Sequence, residues 1–74
     1  MTRTDLVGRL ARLEQLSLGL ARERQLMKKA MYSHGCPMLR AEWLEYDRAL
    51  TATIAGVEKA GVTLAKATHR LTEG

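Results

Sequence analysis

The amino-acid sequence predicts an all-α protein that folds as a two-helix antiparallel hairpin. Two long segments of the 74-residue chain carry apolar residues at helical spacing, and the short segment Ser-His-Gly-Cys-Pro at 33–37 separates them. Helices joined by a tight turn can bury their apolar stripes by folding back on each other. We therefore predict a single domain over residues 1–74, with helix A at about 4–32, a turn at 33–37 and helix B at about 37–71.

Helix A is predicted from apolar residues that recur every three or four positions. Thr4 or Asp5 can begin it, because either side chain can accept from a free amide of the first turn. The stripe consists of Leu6, Leu10, Leu13, Leu16 or Ser17, Leu20, Met27 and Met31, with Arg24 as its one charged residue. Val7, Leu18 and Leu26 lie off this stripe, so helix A is more apolar than one neighbouring helix requires.

Turn residues separate helix A from a second amphipathic segment. Gly35 can adopt the left-handed conformation that ends a helix, and Pro37 suits the first turn of the next one. Helix B then carries an apolar residue at every third or fourth position: Leu39, Trp43, Tyr46, Leu50, Thr53, Val57, Ala60, Leu64, Ala67 and Leu71, with Ile54 beside them. Such spacing predicts a heptad-like packing surface sustained for more than four heptads.

The two facing stripes form what we call the hairpin seam. Its large side chains are predicted to be Leu6, Leu10, Leu13, Leu20, Met27, Met31, Leu39, Trp43, Tyr46, Leu50, Val57 and Leu64. Folding the chain at the predicted turn brings Trp43 near Met27 or Met31. The same fold brings Leu64 near Leu6 or Leu10.

A row of small residues spaced by four, Ala52, Gly56 and Ala60, lies on helix B. Two explanations stay open. Gly56 and Gly61 each lower helix propensity by about 1 kcal/mol relative to Ala, so the row can simply mark a weaker end of the helix. Alternatively, the row provides a groove in which another backbone approaches closely.

Apolar side chains outside the seam predict a partner. These off-seam residues are Val7, Leu18, Leu26, Leu44 and Val62. A hairpin of this size is marginal alone, because its buried area barely offsets the entropy of the chain. Dimerisation into a four-helix bundle or docking onto a larger protein would bury the off-seam residues. The alternative is that they are ordinary scattered surface aliphatics.

Composition narrows the function classes. Twelve Lys and Arg against eight Asp and Glu give a net charge of +4, and the two signs are interleaved as on a solvated helix surface. The single Cys36 excludes an internal disulfide and suits a reducing compartment. No apolar run approaches the roughly 20 residues of a membrane span, and the N-terminus lacks the apolar core of a signal peptide. We therefore expect a soluble, cytoplasmic protein.

No catalytic, cofactor or metal site is predicted. His34 and Cys36 share one loop but fall short of the three or four ligands that zinc requires, and they lack the third group and pocket of a nucleophilic site. Glu42, Glu45 and Asp47 are expected to form surface ion pairs with nearby arginines, Arg40 and Arg48. We therefore do not expect an enzyme.

The densest basic patch consists of Arg22, Arg24, Lys28 and Lys29. It could contact RNA, but Glu23 interrupts it and none of the four positions is an aromatic residue that could stack on a base. A solvated helix face is the alternative.

The middle of the chain carries a series of short features, in the order Lys28-Lys29-Ala-Met31, Gly35-Cys36-Pro37, Trp43, Arg48-Ala49-Leu50 and Ile54-Ala55. In these features it resembles the E-type co-chaperones of type III secretion needle subunits, the YscE/PscE group. The resemblance covers roughly residues 24–57, and the chain departs from it at Gly56-Val57 and in the extension over 60–74.

This resemblance implies a function. Proteins of the group are helical hairpins that bind a tetratricopeptide-like (TPR-like) G-type chaperone, and the pair keeps the needle subunit monomeric before export. It implies a heterotrimer with those two partners in the bacterial cytoplasm. From the off-seam apolar residues we also expect the chain to self-associate when its partner is absent. We expect contact with neither nucleic acid nor membrane. The alternative is a homodimeric four-helix bundle that binds RNA or regulates transcription.

Overall fold

Two long helices make up nearly all of the structure, a computed structural model that describes residues 1–33 and 37–73. Helix α1 spans Arg3–Met31 and helix α2 spans Arg40–Glu73, and the described residues form no strand. The predicted all-α hairpin is confirmed. The predicted turn at 33–37, including the role of Gly35, falls largely on 34–36, outside the described residues.

A capping box begins α1. The Thr2 hydroxyl accepts from the Asp5 amide at 3.2 Å, and the Thr2 amide donates to Asp5 Oδ2 at 2.9 Å. The prediction that Thr4 or Asp5 caps the helix is therefore wrong, because Thr2 holds the cap and Asp5 is its reciprocal partner three residues on. The hydrogen bond from the Thr2 backbone holds the pKa of Asp5 below its ordinary value.

Helix α2 begins at Arg40, three residues later than predicted. The Leu39 amide donates to Glu42 Oε1 at 2.9 Å, and the Leu39 carbonyl accepts the first helical bond, from the Trp43 amide. The helix therefore starts where Glu42 can satisfy the Leu39 amide, and Pro37 lies in the connection rather than in the first helical turn. The last residue of α2 is Glu73, two residues beyond the predicted end.

Two contacts fix the antiparallel register. Arg24 pairs with Asp47 at 2.7 Å, and Leu10 lies over Gly61, where its Cδ1 would be 3.7 Å from an added Cβ. Arg24 lies fourteen residues after Leu10, and Asp47 lies fourteen residues before Gly61. The equal steps show that one register is kept over two heptads.

The same register orders the two ends of the hairpin. Extended along both helices, it places Trp43 level with α1 between Met27 and Met31. It likewise places Leu64 level with α1 between Leu6 and Leu10. Both placements agree with the predicted neighbours.

The seam is half-buried rather than enclosed. No described side chain is fully buried. The half-buried residues are Leu6, Leu10, Leu13, Ser17, Leu20, Met27, Ala30, Met31, Met38, Trp43, Tyr46, Asp47, Leu50, Ile54, Val57, Gly61, Leu64, Ala67 and Thr68. Near the connected end of the hairpin, the Trp43 and Tyr46 rings stack with centroids 6.2 Å apart.

Several seam assignments need correction. Leu39 is 68% exposed, because it precedes α2 and does not follow the helical stripe. Ile54 and Gly61 occupy seam positions in place of the predicted Thr53 and Ala60, which are exposed. Two further leucines of the predicted stripes, Leu16 and Leu71, are also exposed. Leu16 and Ser17 were alternatives for one seam position, and Ser17 occupies it.

The molecule is a rod of 56 × 16 × 15 Å. Its radius of gyration is 16.7 Å, whereas a compact domain of this length has about 11 Å. A rod two helices wide has no third layer to cover its outer faces. Neither described helix is long and apolar enough to cross a membrane.

Candidate protein-binding surface

One ion pair joins the two helices in the middle of the seam. Arg24 Nε donates to Asp47 Oδ1 at 2.7 Å, and Nη2 lies 3.5 Å from Oδ2. This pair explains why a charged residue occurs in the apolar stripe of α1. Both Asp47 and Glu42 were predicted to pair with Arg40 or Arg48. Asp47 instead pairs across the hairpin, and Glu42 accepts from the Leu39 amide.

The ion pair shifts the titration of both groups. The hydrogen bond from Arg24 holds the pKa of Asp47 below its ordinary value, and Lys28 adds a smaller effect in the same direction. The hydrogen bond to Asp47 raises the pKa of Arg24, so the guanidinium stays charged. Because the carboxylate's pKa is lower in the folded chain, its contribution to stability is present above the unfolded pKa and is lost as the pH falls.

We expect acid to weaken the hairpin through Asp47. As the pH falls below the ordinary Asp pKa of 3.8 and through the lower folded value, the thermal midpoint should decline. Asp47→Asn should have a lower midpoint at pH 7 and a smaller decline, because it has no proton to take up at this position. Circular dichroism melts between pH 7 and pH 2.5 measure this, with Glu23→Gln as the matched control. Equal declines in Asp47→Asn and the control would contradict the role of the pair.

The five predicted off-seam residues all lie on the exposed surface of the hairpin. Their exposed fractions range from 43% for Leu44 to 66% for Leu18. Further large apolar side chains are exposed as well: Met1, Leu16, Tyr32, Leu39 and Leu71. The structure brings only Leu18 and Val62 together, in the groove described next, whereas Val7, Leu26 and Leu44 lie outside its lining.

An open groove of about 570 Å³ runs between α1 and α2. Its floor consists of half-buried residues from both helices: Leu10, Leu13, Ser17, Val57 and Gly61. Because Gly61 has no side chain and Ser17 is small, the seam is shallow here and leaves a depression along one side of the hairpin. We call this depression the interhelical groove. This groove was not predicted from the sequence.

Exposed residues form the two rims of the interhelical groove. Glu14 and Leu18 stand on the α1 rim, and Glu58, Val62 and Ala65 stand on the α2 rim. The register places Glu14 level with Val57, so the two glutamates face each other across the groove. Each rim therefore combines one carboxylate with one large apolar side chain.

The row of small residues on α2 does not mark a close approach within the hairpin. A Cβ added at Gly56 would meet no atom within 4 Å, and Ala52 and Ala60 are exposed. An added Cβ at Gly61, by contrast, would make ordinary van der Waals contact with the Leu10 side chain of the other helix.

Acidic side chains reduce the positive charge of the predicted basic patch. Arg24 is engaged by Asp47, whose carboxylate also lies within electrostatic range of Lys28. A phosphate approaching Lys28 would therefore meet the Asp47 carboxylate as well.

The described residues do not form a metal-ligand set. Over 1–33 and 37–73, no three His, Cys, Asp or Glu side chains come together in a way that could hold an ion. His34 and Cys36 lie outside these ranges.

Comparison with known proteins adds no relative to this description. No protein-family model, no curated protein and no solved structure matches the chain.

Proposed function

We propose that the chain is a cytoplasmic co-chaperone of type III secretion. In this role it binds and stabilises a TPR-like G-type chaperone, and the pair keeps the needle subunit monomeric before export. The protein turns over no substrate. It acts by burying apolar surface of its partners, which bury its own exposed apolar side chains in turn. The observation that carries the proposal is that the fold leaves apolar surface exposed on both of its helices.

The exposed area supports a partner of substantial size. A compact protein of 8.3 kDa exposes about 4,600 Å², whereas this chain exposes 6026 Å². The excess of about 1,400 Å² is larger than the roughly 800 Å² that each partner contributes to a standard interface. The elongated hairpin therefore exposes more additional area than one standard interface requires.

The distribution of apolar residues favours a partner that wraps around the hairpin. Leu18 and Leu26 are exposed on α1, and Leu44 and Val62 are exposed on α2. A flat surface could contact only one side of a rod 16 Å wide. A concave array of helices, such as a TPR-like domain provides, can contact both helices at once.

The resemblance to the E-type group supplies the identity of the partners. Its motifs include the paired lysines Lys28-Lys29 near the end of α1 and Trp43 in the first turn of α2. The proposed heterotrimer therefore consists of this chain, a G-type chaperone and a needle subunit. Genes for such a needle subunit and chaperone beside the gene for this chain would support the proposal.

The rival function, RNA binding by a homodimeric bundle, has less support. One of the four residues of its basic patch, Arg24, is already paired with the Asp47 carboxylate. A cationic surface that a carboxylate partly neutralises attracts a phosphate backbone less strongly. A salt-sensitive gel shift with RNA would favour the rival.

A single charge on the exposed apolar surface should weaken the proposed complex. We expect Leu18→Glu or Leu44→Glu to reduce binding of the G-type chaperone about tenfold or more, because a buried interface leucine would be replaced by a charge. Helicity should be unchanged, since both side chains are exposed in the hairpin. Pull-down and calorimetric titration against the purified chaperone measure the effect.

The control for this experiment is Gln25→Glu, which adds the same charge at an exposed position of α1 without removing an apolar side chain. It should bind the chaperone like the unmodified chain. Undiminished binding by both Leu18→Glu and Leu44→Glu would remove these residues from the interface. Failure of the unmodified chain to bind any G-type chaperone would overturn the proposed function.

A further inference from the structure

The interhelical groove is shaped for a helix rather than for a small ligand. Its lining spans 10–18 on α1 and 57–65 on α2, about 12 Å of each helix at 1.5 Å per residue. No lining residue is fully buried, whereas pockets for small molecules cover most of the ligand's surface. An open trough two turns long instead matches the apolar stripe of one amphipathic helix.

The charged residues of the interhelical groove indicate which residues should flank the apolar stripe of a bound helix. Glu14 and Glu58 face each other across the groove, and no Lys or Arg lines it. Neither carboxylate forms an ion pair with any described residue. The residues three and four positions away from each are apolar or small, so neither has a basic neighbour one turn along its own helix. The chain as a whole has a net charge of +4, so the acidic interhelical groove is opposite in sign to the protein's net charge.

A second copy of the chain is a poor occupant. In a symmetric dimer built on this groove, Glu14 and Glu58 would meet the same residues of the copy. Four carboxylates would then approach one another around an apolar contact, and like charges brought together in this way oppose association. A helix with basic residues on both sides of its apolar stripe would be attracted instead.

We propose that the interhelical groove binds an amphipathic helix of a partner protein, with apolar side chains on the Leu13–Val57 floor and Lys or Arg against Glu14 and Glu58. This assignment rests on the proposed function in that the helix would belong to the G-type chaperone. Basic residues at both flanks of the stripe, the e and g positions of a heptad, satisfy the two glutamates together. Leu18 and Val62 on the rims then cover the sides of the bound helix.

Two synthetic helical peptides test the proposal on the full chain. Both carry Leu and Ala at heptad positions a and d, and they differ only in having Lys or Glu at e and g. We expect the chain to bind the lysine peptide about tenfold more tightly at physiological salt, since each of two partly shielded charge pairs contributes modestly. Fluorescence anisotropy with labelled peptide measures both affinities.

Charge reversal then locates the binding site. The double variant Glu14→Lys with Glu58→Lys should invert the preference and select the glutamate peptide. The matched control, Glu23→Lys with Glu45→Lys, has the same net charge with both changes at exposed positions outside the groove, and it should keep the preference for lysine. Glu and Lys have similar helix propensities, so both variants should fold, which circular dichroism checks.

The remaining outcomes overturn the proposal. Equal affinity for the two peptides, binding of neither, or the same shift in both double variants would show that the groove does not select a basic helix. Dimerisation of the chain that Glu14→Gln with Glu58→Gln strengthens would assign the groove to a second copy. Undiminished pull-down of the G-type chaperone by the Glu14→Lys with Glu58→Lys variant would remove the groove from that complex and leave the co-chaperone function standing. A lysine-selective groove in a chain that binds no G-type chaperone would overturn the function alone.

Discussion

Leu50→Glu is expected to destabilise the hairpin strongly. Leu50 is half-buried in the seam, at the level of Leu20 in the register set by Arg24 and Asp47. Loss of its apolar burial costs about 2 kcal/mol, and placing a carboxylate in the seam adds to that loss. Because a small hairpin has only a few kcal/mol to lose, the thermal midpoint should fall by about 10 °C or more. Circular dichroism at 222 nm during heating measures both the helicity and the midpoint.

Leu44→Glu is the matched control for this experiment. It makes the same substitution on the same helix, but Leu44 is 43% exposed and lies off the seam. Leu and Glu are both good helix formers, so a difference between the two variants reports packing rather than helix propensity. A Leu44→Glu variant that unfolds as readily as Leu50→Glu would mean that Leu44 belongs to the hairpin core.

Apolar periodicity was sufficient to predict the two helices and their pairing. Trp43, Leu50, Val57 and Leu64 lie three or four residues from their nearest seam neighbours, and all four are half-buried. Periodicity does not fix the stripe to a single position, however. After Tyr46, the next two seam residues follow at intervals of four positions, where the predicted stripe had an interval of four and then one of three. This one-position difference places Ile54 and Gly61 on the seam. Neighbouring positions on a helix differ by 100°, so the cross-helix register decides between them.

Hydrogen bonds set the first residue of each helix, and residue type alone does not show which of several suitable residues forms them. Thr2, Thr4 and Asp5 are all suitable cap residues, and only the reciprocal bonds between Thr2 and Asp5 select the first. Pro37 favours a helix start but does not require one, and the Leu39–Glu42 bond moves the start to Arg40.

The features that could not be predicted from the sequence depend on how the two helices are placed against each other. Arg24 is an unexplained charge in the stripe until the register brings it to Asp47. The interhelical groove exists because Ser17 and Gly61, forty-four positions apart in sequence, lie on the floor of one depression. Its acidic rims follow from the same register, since Glu14 and Glu58 belong to different helices. No pattern within one helix contains this information.

The second large effect expected is stabilisation of the chain by its partner. A protein that binds only the folded state raises the free energy of unfolding by mass action, by about 2.7 kcal/mol when its free concentration is a hundred times Kd. For a domain of this size that gain corresponds to a rise of about 10–20 °C in thermal midpoint. The hairpin has no fully buried side chain among the described residues, so it should be weakly stable alone and respond strongly.

Melting and polymerisation experiments together test this expectation. The chain is melted alone and in complex with the G-type chaperone, and polymerisation of the needle subunit is followed by light scattering with the chaperone alone and with the pair. Co-expression should raise the soluble yield of both chaperone chains, and only the pair should hold the needle subunit monomeric. Leu18→Glu, which is expected to retain the hairpin but bind the chaperone weakly, should lose both effects together. A chain as stable alone as in complex, with a needle subunit that stays soluble without it, would refute the co-chaperone function, because no apolar surface would then depend on a partner for its burial.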